Sequence, residues 1–162
     1  MSSLFTAAVL IEKANPARVL FRRTPKWTYK VKDLPGTKEA YKADRANPEK
    51  RIAVEFVSSH DYERLGGASS SSTVQSYDFK QVGRSVAEAV RKEAKDKLYF
   101  GALYDPAVRV EQPKREPEKI KTTGDWRKYW DESLKKSKAE SQRLLRLQVQ
   151  DFLQWLQAQG AI

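Results

Sequence analysis

A single domain of α/β or α+β class is expected for this chain, and three stretches carry that expectation. "RIAVEFV" (51–57) is a compact apolar run of strand length, and "KLYFGALY" (97–104) is another. Between them, "DFKQVGRSVAEAVRKEAKD" has the period of an amphipathic helix: Phe79, Val82, Val86, Ala89 and Val90 form one apolar stripe. Strand, helix and strand in that order predict a βαβ-like unit over 51–104 whose two long strands run parallel. The full expectation is a mixed sheet of about five strands with a C-terminal helical segment.

The other elements follow from local chemistry. "LFTAAVLIEK", "RVLFRR" and "KWTYKVK" are rich in β-branched and aromatic residues and are punctuated by Asn15-Pro16 and Thr24-Pro25, which reads as a meander of two or three strands. Trp27, Tyr29 and Val31 alternate with Thr28, Lys30 and Lys32, so one face packs on the core and the other presents lysines. A polar connection follows, with one helical turn expected around Glu39–Arg45. "TVQSY" reads as a brief strand. Asp78 is placed to cap the central helix, with Gln81 three residues on as in a capping box. Residues 111–124 carry two prolines and many charges and form a strap between a core domain (1–110) and a helical segment (125–162). In that segment Leu145, Val149, Phe152 and Leu156 recur at helical spacing. Upstream, Trp126, Trp130 and Leu134 continue the stripe, which Ser137 and Ser141 interrupt. The segment is expected as one long helix or two shorter ones, packing on the core or on a partner.

Composition narrows the chemistry. The 162 residues are 40% hydrophobic and include no cysteine, which excludes disulfides, thiolate metal sites and a cysteine nucleophile. The apolar run Leu4–Ile11 has no basic residue before it and Glu12-Lys13 straight after, so it reads as a strand rather than a secretory leader. No stretch approaches the roughly 20 apolar residues of a membrane span. A cytoplasmic protein with no membrane partner is expected.

Charge is the loudest signal. The net charge is +10, and its excess lies at the two ends. Residues 1–50 hold eleven Lys/Arg against five Asp/Glu, 51–112 hold nine against nine, and 113–162 eleven against seven. A positive field of this size recruits polyanions. Arg22, Arg23, Lys26, Lys30 and Lys32, around Trp27 and Tyr29, are the expected polyanion-binding residues, since cations beside aromatic rings suit single-stranded nucleic acid. The strict alternation turns the rings toward the core, which weakens the stacking part of that idea and leaves the charge part intact.

The lone histidine supplies the second candidate. If 51–57 and 97–104 are parallel neighbours, their carboxyl ends share one sheet edge, where ligands of open α/β sheets bind. His60, Asp61 and Asp105 arrive there and have the makings of a general base with carboxylate partners. No G-x-S-x-G elbow holds a nucleophile, and "LGGASSSST" matches no phosphate-binding loop, so it reads as a surface loop. No metal site and no cofactor are expected.

The preferred reading is therefore a small, basic, non-enzymatic accessory protein that binds nucleic acid or another polyanion, such as an acidic protein surface. Two alternatives stand beside it: a hydrolase-like or ligand-binding domain using His60, Asp61 and Asp105, and an assembly subunit acting through its C-terminal helix on a partner or a second copy. The sequence leaves open whether the protein is an enzyme.

Overall fold

The computed structural model describes residues 28–29, 41–67, 77–95, 98–111 and 121–162. Seven elements lie within them. Strands β1 (Thr28–Tyr29) and β2 (Tyr41–Lys42) pair antiparallel in a short ladder. Strands β3 (Arg45–Asn47), β4 (Ile52–Val57) and β5 (Tyr99–Tyr104) form a mixed sheet in that order, β3 antiparallel to β4 and β4 parallel to β5. Helix α1 (Phe79–Ala94) crosses from β4 to β5, and helix α2 (Thr123–Ala158) follows.

The strand–helix–strand unit is present, with its two long strands parallel and in register from Ile52↔Tyr99 to Val57↔Tyr104. Every residue of β4 is buried, as a central strand covered on both faces requires. Alternation then sorts the side chains between two layers. Ala53, Val57 and Phe100 join Val82, Val86 and Val90 of α1 in one core cluster. Ile52, Val54, Phe56 and Leu103 meet Leu145, Val149 and Leu156 of α2 in the other. The sheet is thus the middle layer between two helices.

Of the expected mixed sheet of about five strands, three are present among the described residues, and β1–β2 stands as a separate two-stranded ladder. The helical turn expected around Glu39–Arg45 is replaced by strand, in β2 and the start of β3. The reason is non-local. Arg45–Asn47 is polar, but the unpaired edge of β4 lies beside it and takes up its backbone groups. A four-residue loop joins β3 to β4, with the Lys50 amide donating to Asn47 Oδ1 and Arg51 in the left-handed region at φ 55°. Most of the basic N-terminal meander, with Arg22, Arg23, Lys26, Lys30 and Lys32, lies outside the described residues, as do Ser69–Ser72 and most of "TVQSY" and of the 111–124 strap.

Helix α1 begins at the expected cap, but without the reciprocal half of a capping box, since the Asp78 amide donates to the Tyr62 hydroxyl and not to Gln81. Asp78 Oδ accepts from the Gln81 amide at 2.9 Å, and Lys95 ends the helix in the left-handed conformation. Helix α2 is a single element of 36 residues, about 54 Å long. Its buried residues, Leu145, Val149 and Leu156, all lie in the C-terminal half, which packs on the domain's own sheet. The serines that interrupt the apolar stripe upstream have a use: Ser137 Oγ donates to the Val108 carbonyl and ties the chain after β5 to the helix. Among the described residues, no helix is long and apolar enough to cross a membrane.

Candidate functional site

Two places on this scaffold bring functional side chains together. The first is the sheet edge at the carboxyl ends of β4 and β5. The Asp105 amide donates to the Val57 carbonyl at 3.0 Å, so the chain leaving β5 lies against Val57, and Ser58 comes next in sequence. After the buried Ser58 the chain turns, with Tyr62 and Leu65 anchored in the core. Each carboxylate in this corner has a structural partner. Asp61 accepts from Ser58 Oγ and from Arg64 Nη2, the latter at 2.9 Å. Asp105 Oδ1 accepts from the Ala107 amide at 2.9 Å, closing a turn in which Ala107 adopts φ 49°. Asp78 caps α1, and its own amide donates to the Tyr62 hydroxyl oxygen at 3.2 Å. His60 sits exposed in the turn and makes no hydrogen bond or ion pair with the rest of the described chain.

Glu55, a carboxylate on the central strand, completes this corner. It is 1% exposed, accepts from the Asp44 amide at 3.1 Å and stands 3.7 Å from Arg64. Asp44 in turn accepts from the Phe56 amide, and loss of hydration holds its carboxyl above the usual range. These groups latch the 58–67 loop and the β3 hairpin onto β4. Among the described residues no group of three or more acidic or histidine side chains is arranged to hold a metal ion.

The second place is a groove of about 350 Å³ along the outer edge of β5, between α1 and α2. Lys80, Arg84, Glu88 and Arg91 of α1 form one wall, with Gly83 and Ala87 leaving it shallow. Gln148, Asp151, Phe152 and Trp155 of α2 form the other. The Phe152 and Trp155 rings lie stacked, 21° apart in plane and 5.8 Å between centres. Arg91 bridges the walls: its guanidinium lies 4.3 Å from the Trp155 ring centre, and its Nε and Nη2 donate to the Phe100 carbonyl at 3.0 and 2.7 Å. At the far end the Gln148 side-chain amide accepts from the Tyr104 N–H at 2.9 Å and donates to the Tyr104 carbonyl at 3.0 Å. Burial pushes the Tyr104 phenol above its ordinary value, against the opposing pull of Arg84.

Sequence reasoning did not find this groove. Arg84, Glu88 and Arg91 lie off the apolar stripe of α1, and no spacing rule says which surface they meet. Gln148 belongs to a helix 44 residues beyond the strand it caps. The sequence signal is the small Gly83 of α1 beside Ala102 of β5, where a Cβ on the glycine would stand 3.6 Å from that of the alanine, so this wall stays shallow.

Comparisons with protein-family models, with curated proteins and with solved structures find no match to this chain.

Proposed function

We propose that this protein is a small polyanion-binding accessory domain whose ligand is nucleic acid. The observation that carries the reading is the β5-edge groove, where the cations Lys80 and Arg84 face the aromatic pair Phe152 and Trp155. Phosphate contacts supply affinity and ring surfaces supply stacking in proteins that hold single strands. The net charge of +10 supports the same reading, because a field of that sign steers polyanions toward the groove despite Glu88 and Asp151 on its walls. The basic cluster Arg22, Arg23, Lys26, Lys30 and Lys32 adds a second stretch of cations for the same backbone. Stability, rather than proton transfer, is the use supported for Asp61 and Asp105, since both carboxylates are taken up by neighbours.

Fluorescence anisotropy with a labelled single-stranded oligonucleotide tests the proposal. Reversal of Arg22, Arg23, Lys26 and Lys30 to glutamate is expected to weaken binding. Equal affinity for the reversed and native proteins removes the N-terminal cluster from the reading, and absence of binding at low salt ends the reading itself.

A further inference from the structure

The hydrogen-bonding state of β5's outer edge says what the groove is built to accept. The Tyr99 amide donates to the Arg51 carbonyl and the Asp105 amide to the Val57 carbonyl, so the odd-numbered residues of β5 turn their backbone groups toward β4. Phe100, Ala102 and Tyr104 therefore turn theirs outward, into the groove. Two of these three positions are capped by side chains, Phe100 at its carbonyl by Arg91 and Tyr104 at both groups by Gln148. The outward N–H and C=O of Ala102 have no partner among the described residues, and Ala102 is only partly covered.

We propose that Ala102 is a nucleobase-reading position: its backbone pair takes the adjacent N–H and C=O of a pyrimidine ring, as in uracil, while Lys80 and Arg84 take the attached phosphate. This rests on the polyanion reading above and gives it a ligand edge and a site. The structure already contains the hydrogen-bond pattern, because the planar amide of Gln148 satisfies both outward groups of Tyr104 at once. Uracil offers the same donor beside the same acceptor on a planar ring. The spacing also selects the ligand's size. Outward positions two residues apart on a strand are separated by about 6.6 Å. The caps at Phe100 and Tyr104 are thus about 13 Å apart with Ala102 midway, which leaves room between them for one six-membered ring. An added peptide strand would need Phe100 and Tyr104 as well as Ala102, and Arg91 and Gln148 already occupy them. The shallow floor at Gly83 and Ala87 leaves the ring room, and Lys80 and Arg84, one helical turn apart on α1, stand on the same wall.

The test is a titration of the isotopically labelled full chain, followed at the backbone amides by NMR, with uridine monophosphate, N3-methyluridine monophosphate, a short oligouridylate and inorganic polyphosphate. Uridine monophosphate is expected to move the Ala102 amide resonance. Methylation of N3 deletes the donor and is expected to weaken binding at least about fivefold, the size of one lost base-edge contact. Ala87→Leu fills the floor and is expected to abolish the Ala102 shift while its melting temperature stays close to the native value. A shift caused by the oligomer and not by the monomer identifies a strand as the source, and the converse identifies a free nucleotide; either supports the site. If the oligouridylate binds and neither it nor the monophosphate moves Ala102, or if methylation changes nothing, base reading is overturned and polyanion binding survives. If neither the oligomer nor polyphosphate binds, both fall.

Discussion

Gly101 lies in the middle of β5 with the Phe152 ring against it, and a Cβ added there would stand 2.6 Å from Cδ2 of that ring. The absence of a side chain thus lets α2 approach the sheet closely enough for Phe152 and Trp155 to line the groove. Gly101→Ala is expected to cost about 1–3 kcal/mol, as overpacked core sites do. Phe152→Leu should recover part of that loss, and a double-mutant cycle by chemical denaturation measures the coupling. Independent losses from the two changes would show that the ring and the glycine are not in contact. At this scale little was legible beforehand. Asp78 announced itself as a cap by its place before an apolar stripe. Asp61 and Asp105 were recognised as arriving at one sheet edge, but their partners Ser58, Arg64 and Ala107 depend on turn geometry that no spacing rule supplies.

The long helix α2 combines an anchored half and a half without buried residues, and the two are expected to respond differently to change. Leu156 is fully buried against Ile52, Val54 and Leu103, so Leu156→Ala should cost about 2–5 kcal/mol in a denaturant melt. Leu134, 42% exposed, should tolerate alanine within about 0.5 kcal/mol. Comparable losses at both positions would mean that the upstream half is packed as well. The helix start is a pH-sensitive cap. Thr122 and Asp125 form a reciprocal capping box, and hydrogen bonds from the Thr122 side chain and from the Thr122 and Lys121 amides hold the Asp125 carboxyl below its ordinary value of 3.8. A carboxyl lowered in the folded state stabilises above its unfolded value, and that contribution disappears as pH falls through the folded one. Amide exchange over residues 123–126 should therefore accelerate as pH drops below about 3.8, beyond the intrinsic pH trend, and Asp125→Asn should remove the excess. An excess that persists in Asp125→Asn would place the transition elsewhere. The helices and the two long strands were legible because their periodicity is local. Strands β2 and β3 were not, because polar residues became strand through pairing with partners chosen elsewhere in the fold.

At the scale of the whole molecule, a positively charged chain presents a narrow groove at the one edge of its three-stranded sheet that β3 does not cover. The parallel β4–β5 pair follows from the order of apolar segments, so the layered core could be read in advance. The groove could not, because it needs α1, β5 and α2 to be placed together before Arg91 and Gln148 can cap the strand and leave Ala102 open. The charge excess was plain from composition, yet composition does not say which cations meet the ligand. Nucleic acid held on this surface through its phosphates, as proposed above, would bind with a marked salt dependence. Affinity for a short oligouridylate, measured by anisotropy between about 50 and 200 mM salt, should fall linearly on a double-logarithmic plot, with a slope of about −0.7 per phosphate neutralised. The slope should become shallower in a variant with Lys80 and Arg84 both changed to glutamine. Undetectable binding at the lower salt concentration, or an affinity indifferent to salt, would contradict that proposal.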